Sequence, residues 1–170
     1  NTGTGKTAAF AVPVLDKLIN NPHSKALIIA PTRELAQQIE DEMRSIGKNS
    51  GMSGVLLIGG TPMGPQLRDL RNKPRVVIGT PGRIKDHLER GTLHLATFDQ
   101  VVLDEVDRML DMGFLPDMRF ILDNLKEDRQ SFFFSATMDR RVEQLITTFS
   151  KDPVTVSVKT SDTSSNVHQN

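Results

Sequence analysis

The stretch Val101-Val102-Leu103-Asp104-Glu105 decides the fold. Three consecutive aliphatic residues leave no polar face, so the run reads as a strand buried on both sides rather than as one wall of a half-solvated sheet. The acid pair after it marks the strand's carboxyl end, the edge of an open α/β sheet where ligands bind. Working outward, runs of the same kind recur at Ala26–Ala30, Val55–Ile58, Val76–Ile78, Phe132–Phe134 and Val154–Val158. Segments with helical spacing separate them, at Glu34–Ile46, Gly64–Arg71, Arg83–Arg90, Leu115–Leu125 and Arg140–Phe149. They are long enough for crossovers, and the alternation predicts an α/β fold whose parallel central sheet is covered by helices on both faces. The triple Phe132-Phe133-Phe134 fits core packing in a central strand better than base stacking, which would require all three rings to leave the core.

The 170 residues fit one compact domain, and 37% hydrophobic with 25% charged residues is enough to form a core. Lysine plus arginine number 21, balanced by 21 aspartates and glutamates, which excludes a generally polybasic binder. Any contact with nucleic acid must therefore come from locally placed positive groups. The absence of cysteine excludes disulfide scaffolds, thiol nucleophiles and thiolate metal sites. His23, His87, His94 and His168 are scattered and expected at the surface, so a zinc site is not expected. No apolar run approaches the roughly 18 residues needed to cross a bilayer, and a soluble, cytoplasmic chain is expected, with the nucleus left open if its source is eukaryotic. The chain opens on Asn1-Thr2-Gly3 without an initiator methionine and is expected to be a piece of a longer protein. After Lys159 the composition turns to Thr-Ser-Asp-Thr-Ser-Ser-Asn and reads as a linker.

Thr2-Gly3-Thr4-Gly5-Lys6-Thr7, followed by Ala8, Ala9, Phe10, Ala11 and Val12, has two readings. One is a flexible Gly-Thr tail. The other is the back half of a phosphate-binding loop that runs into a helix. In it the glycines let backbone N–H groups face phosphate oxygens, Lys6 neutralises the terminal phosphates and the Thr7 hydroxyl ligates magnesium. The acid pair favours the second reading. Asp104 would hold the magnesium ion, and Glu105 would orient or deprotonate an attacking water. The alternative for the pair is a cap on the next helix. Strand, acids and Gly-Lys-Thr together favour nucleoside triphosphate hydrolysis.

Pro31-Thr32-Arg33-Glu34-Leu35-Ala36, Gly59-Gly60, Thr80-Pro81-Gly82-Arg83, Asp104-Glu105-Val106-Asp107 and Ser135-Ala136-Thr137 follow one another in an order and spacing that resembles the first RecA-like lobe of DEAD-box RNA helicases. The resemblance spans nearly the whole chain. It implies a RecA-like P-loop NTPase fold over residues 1–158, with 159–170 leading toward a second RecA-like lobe. It implies ATP and Mg²⁺ as cofactors, bound by Thr2, Gly3, Thr4, Gly5, Lys6 and Thr7, with the metal held by Thr7, Asp104 and Glu105, partly through water. It makes Glu105, Asp104 and Lys6 catalytic, and gives Asp107, Ser135 and Thr137 the coupling of nucleotide hydrolysis to strand separation. A plain helix cap is the other reading of Ser135 and Thr137. The resemblance assigns Pro31, Thr32, Arg33, Gly59, Gly60, Thr80, Pro81, Gly82 and Arg83 to the sugar-phosphate backbone of single-stranded RNA, a sequence-tolerant contact. For Gly59 and Gly60 alone, an ordinary turn is the simpler reading.

Two departures stand out. Val106 replaces the alanine of the family's name and needs room for two more methyl groups, an insertion that costs roughly 1–3 kcal/mol where there is none. The resemblance also places an adenine-recognising segment upstream and the arginine fingers in a second lobe. The 170 residues alone are therefore expected to be monomeric and inactive, and the intact protein to be an RNA-stimulated ATPase. Two other classes remain open from the residues: a catalytically silent RNA- or protein-binding module, and a lobe of a DNA-directed superfamily 2 helicase.

Overall fold

A computed structural model describes residues 3–52, 54–150 and 154–157, with side chains from Gly5 to Ser150. Thr2 and the expected linker 159–170 lie outside the described residues. The elements run α1 (Gly3–Asn20), β1 (Ala26–Ile29), α2 (Arg33–Ile46), β2 (Val55–Leu57), α3 (Met63–Arg71), β3 (Val76–Gly79), α4 (Pro81–Arg90), β4 (Gln100–Leu103), α5 (Val106–Asp111), α6 (Leu115–Asp123), β5 (Gln130–Ser135), α7 (Arg140–Phe149) and β6 (Val154–Ser157). The strands form one sheet in the order β2-β3-β1-β4-β5-β6, every neighbouring pair parallel.

Alternate strand residues point to opposite faces, and each face has its own apolar core. Ala26, Ile28, Val76, Ile78, Val102, Phe132 and Phe134 pack with Phe10, Ala11, Val14 and Leu18 of α1 and with Ala36, Ile39 and Met43 of α2. Leu27, Ile29, Val77, Val101, Leu103 and Phe133 pack on the other side with Leu70 of α3, Ile84 of α4, Met109 of α5, Met118 of α6 and Val142 of α7. This two-sided cover explains why the strands read as continuous apolar runs. All three phenylalanines are core residues, and Phe10 meets Phe134 edge to face at 5.4 Å between ring centroids.

Register places the functional edge. Ile29 pairs with Gly79 on one side and Leu103 on the other, Leu57 pairs with Gly79, and Leu103 pairs with Phe133. The residues that leave these strands, Ala30, Thr80, Asp104 and Ile58, therefore emerge nearly level. The ladder ends on bonds from Ala30 N–H to Gly79 O (3.0 Å), Thr80 N–H to Leu57 O (3.1 Å) and Asp104 N–H to Ile29 O (2.9 Å). Gly79 is required there by close approach, because a Cβ would run into the Leu57 carbonyl.

The structure corrects two expectations and adds a helix that the spacing did not predict. Helix α1 begins at Gly3 and takes in Thr4 and Gly5, which the sequence assigned to a loop. None of these residues bars helical geometry, and the buried face of Phe10, Ala11 and Val14 carries the helix back to them; the N–H groups of the first turn still lack i−4 partners. Helix α5 starts directly after the acid pair and is too short, at six residues, to show a period. His87 is fully buried in place of being on the surface, because Gln66 and Thr92 satisfy both of its ring nitrogens.

Candidate functional site

At the carboxyl end of β4 the backbone turns into α5 through one residue. Glu105 takes φ 55° and ψ 54°, a left-handed conformation that costs a non-glycine residue on the order of 1–2 kcal/mol. Although it occupies the N-cap position, its side chain makes no capping bond. The carboxylate instead faces Lys6 Nζ at 3.6 Å and accepts from Arg108 Nη1 at 3.2 Å. The capping alternative therefore does not describe this side chain.

Asp104 is fully buried, with Lys6 Nζ 3.2 Å from Oδ1. Neither carboxylate oxygen has an aligned hydrogen-bond donor among the described residues. Burial raises the Asp104 pKa above the ordinary carboxylate value; Lys6 pulls it back and Glu105 adds to the rise. One lysine thus gathers both acids at the sheet edge, although Lys6 and Asp104 are 98 positions apart in the sequence. Thr7 is buried beside Lys6, and its hydroxyl donates to Glu42 Oε1 of α2.

Asp107, Ser135 and Thr137 come together one helical step away. Ser135 Oγ, at the end of β5, accepts the Asp107 N–H at 3.3 Å, and Thr137 Oγ1 donates to Asp107 Oδ2 at 3.3 Å. Ser135 therefore does serve a helix N-terminus, but that of α5 rather than its own; α7 is capped by Asp139. Val106 lies between the acids on this turn, fully buried among the apolar residues of the α5 face, so the larger side chain has found room.

The β1, β2 and β3 exits form a second, less charged cluster. Thr32 caps α2 by accepting the Leu35 N–H at 3.1 Å, which leaves Arg33 exposed in the first turn. Gly60 has φ +76°, and a Cβ there would strike the Arg33 guanidinium. The Pro31-Thr32-Arg33 and Gly59-Gly60 segments thus meet, and the positive φ at Gly60 favours glycine there. Thr80 and Pro81 start α4, and Gly82 is open to solvent. Arg83 Nη1 donates to Thr61 O at 3.3 Å and Gln66 Oε1 at 3.2 Å, so this arginine ties the start of α4 to the turn after β2 and to α3.

Three residues of these clusters, Glu42, Gln66 and His87, were not legible as site residues. Glu42 sits one turn after Gln38 on α2, and Gln38 Nε2 approaches its Oε2 at 3.5 Å. Gln66 and His87 look like ordinary polar positions on amphipathic helices; the only sequence signal is their nearness to Gly60 and Arg83.

A parallel sheet with helices on both faces, a lysine from a glycine-rich helix start and two acids at a strand's carboxyl end define the P-loop NTPase class with a RecA-like lobe. The DEAD/DEAH box helicase family matches residues 1–145, and the chain belongs to that family. It is 43% identical over 170 residues to the DEAD-box ATP-dependent RNA helicase CshA of Bacillus licheniformis, covering 99% of this chain and 35% of that protein. The chain therefore spans about a third of that relative's length. Among solved structures, a DEAD box protein from the hyperthermophile Methanococcus jannaschii superposes with a TM-score of 0.85 at 41% identity, over 94% of this chain and 44% of that one. A hypothetical ATP-dependent RNA helicase from Sulfolobus tokodaii gives 0.82 at 33% identity, over 93% and 46%.

Proposed function

We propose that this chain, residues 1–158, is the first RecA-like lobe of an ATP-dependent RNA helicase. It binds Mg-ATP at the Lys6–Asp104–Glu105 cluster and grips single-stranded RNA along the β1, β2 and β3 exits. The observation that carries the reading is the convergence of Lys6 on both acids, at 3.2 and 3.6 Å. With nucleotide bound, Lys6 exchanges its carboxylate partners for the terminal phosphates, and the first-turn N–H groups from Gly3 to Lys6 face phosphate oxygens. Glu105 holds the attacking water and takes its proton.

The residues fit a magnesium ion. Asp104 offers two buried carboxylate oxygens without aligned donors, and Thr7 keeps its oxygen lone pairs when its proton goes to Glu42. Among the described residues no group of three or more histidine, aspartate and glutamate side chains forms a cage. Mg²⁺ is typically held by one or two protein groups together with waters and phosphates, and Asp104 and Thr7 are two such groups. When bound, the ion neutralises charge developing on the phosphoryl oxygens. Asp107, Ser135 and Thr137 relay the state of this site toward the RNA side.

On the RNA side, Thr32, Arg33, Gly60, Thr80, Gly82 and Arg83, with Pro31, Gly59 and Pro81 setting the turns, supply hydroxyls, open backbone and guanidinium groups. These suit phosphate oxygens and carry no sequence information. A second lobe completes the nucleotide site and the RNA groove. The reading places the helicase in the cytoplasm, with the nucleus open if its source is eukaryotic, and takes the 170-residue piece alone as a monomer. Among the described residues no helix is long and apolar enough to cross a membrane. Steady-state ATPase of the full-length protein, measured with RNA, with single-stranded DNA and with neither, tests the reading. Stimulation by RNA alone is expected. Equal stimulation by both would overturn the RNA assignment, and absence of turnover in all three would favour a silent binding module.

A further inference from the structure

Gln66 of α3 is nearly fully buried, and its carboxamide is saturated. Nε2 donates to Ile58 O at 2.9 Å and to Thr61 Oγ1 at 2.8 Å. Oε1 accepts from Arg83 Nη1 at 3.2 Å and meets His87 Nε2 at 2.8 Å. The orientation of the amide is unambiguous, because a carbonyl can only accept and a guanidinium can only donate. It follows that His87 carries a proton on Nε2; Nδ1 lies 2.8 Å from Thr92 Oγ1, whose hydroxyl also reaches the His87 carbonyl oxygen at 3.1 Å, and in the neutral ring Nδ1 accepts. This neutral tautomer agrees with burial and the nearby Arg83 charge lowering the His87 pKa.

Gln66 joins α3 to the turn after β2 and to α4, the latter through Arg83 in its first turn and His87 in its body. Thr61 tightens the turn after β2, donating to Ile58 O at 3.0 Å while its own carbonyl accepts from Arg83. A buried polar network with every member satisfied favours one arrangement strongly over its neighbours.

We propose that Gln66 is a positioning residue for RNA binding: it locks the Gly59-Gly60-Thr61 turn and Arg83 into one fixed geometry before RNA arrives. The inference rests on the reading of this edge as the RNA surface. Without the glutamine, turn and guanidinium would have to be ordered on binding, and that ordering lowers affinity.

The test uses the full-length protein and fluorescence anisotropy with a single-stranded RNA oligonucleotide in the presence of a non-hydrolysable ATP analogue. Gln66→Leu is expected to weaken RNA binding about tenfold, in line with losses of preorganisation at polar sites. ATP affinity and RNA-free ATPase should stay within about twofold, since Gln66 touches no residue of the lysine–acid cluster. Leu70→Ala, on the same helix and in the apolar core, serves as the stability control and should lower the urea midpoint without moving RNA affinity. The double variant Gln66→Leu with Arg83→Ala should bind RNA no more weakly than Arg83→Ala alone, as residues of one network do. If Gln66→Leu fails to fold, Gln66→Glu keeps the shape and the Arg83 and His87 contacts while losing the donor to Ile58, and should still weaken RNA binding. ¹⁵N resonances of His87 should report the Nε2-protonated tautomer in the unmodified protein. Full RNA affinity in the Gln66 variants, with Arg83→Ala impaired, would overturn the positioning role and leave the RNA surface standing. Full affinity in Arg83→Ala would overturn the reading beneath it. An Nδ1-protonated His87 would overturn the network itself.

Discussion

The two halves of the strand edge solve the same problem, polar groups at the end of a buried sheet, in opposite ways. On the β4 and β5 side a fully buried aspartate holds an ion pair with Lys6 and has no aligned donor on either oxygen. On the β2 and β3 side Gln66 and His87 are buried with every side-chain nitrogen and oxygen engaged. The first half carries an electrostatic cost at rest, since burying charge is expensive and one lysine offsets it only in part. The second is neutral at its core and already satisfied. A ligand that brings its own charge has most to gain at the first, whereas the second offers a preformed surface around Arg33, Gly60 and Arg83. The proposed reading puts phosphates and metal at the first half and a polymer backbone at the second.

The largest effect that can break this contrast is expected at Glu105. Glu105→Gln keeps size and removes the basic carboxylate, so single-turnover ATP hydrolysis by the full-length protein should fall roughly 10²–10⁴-fold while ATP and RNA affinities change little. A wild-type hydrolysis rate would remove Glu105 from the chemistry.

A smaller effect, of opposite sign in stability, is expected at Asp104. Its folded-state pKa is raised above the unfolded value, so the ionised form is disfavoured by folding. That penalty is complete above the folded pKa and fades as pH falls through it toward the unfolded value. Asp104→Asn should therefore stabilise the nucleotide-free protein at neutral pH by on the order of 1 kcal/mol, a few degrees in Tm for a domain of this size, and abolish Mg-ATP binding. Scanning calorimetry with and without Mg-ATP checks both. A lower melting temperature would mean that the Lys6 pair outweighs burial and that the two halves do not differ as described.

The smallest effect sharpens the neutral half. The His87 pKa is lowered from 6.5, first by burial and then by Arg83, against the opposing pull of Asp86. Its neutral form is favoured by folding, so this contribution is complete above the unfolded value and is lost as pH falls below about 6.5 toward the folded pKa. Between pH 7 and 5 the urea stability of the protein should drop more than that of His87→Gln, by at most about 1.4 kcal/mol per pH unit. Parallel pH profiles would show that His87 is not held neutral.

Much of the fold was legible because a parallel sheet buried on both faces leaves a local signature, short apolar runs, which β1 to β5 carry; β6 was legible instead from the alternation Val154-Thr155-Val156-Ser157. Residues that leave such strands were legible for the same reason: the acids after Leu103 and the glycines after Ile58 stand where the apolar run stops. The start of α1 was not, since Gly-Thr-Gly fits both a loop and a helix end and distant packing of Phe10 and Ala11 chose between them. Helix α5 escaped because six residues hold less than two turns. Val106 could only be posed as a question of room, which the apolar face of α5 answered.

The sequence by itself determined the alternation of strands and helices, the single edge to which the motifs belong, and the chemistry available at that edge, because each of these depends on residue type and short spacing. Only the tertiary structure decided the partners. Lys6 meets Asp104 and Glu105, Thr7 turns its hydroxyl to Glu42, Arg33 lies over Gly60, and Gln66 joins Ile58, Thr61, Arg83 and His87. The Arg33–Gly60 contact joins the exits of β1 and β2, between which β3 lies in the sheet, and the Lys6 contacts join α1 to the exit of β4; strand order and register are set by the packing of two whole faces. The burial that raises Asp104 and lowers His87 is likewise a property of everything around them, and no local stretch of sequence carries it.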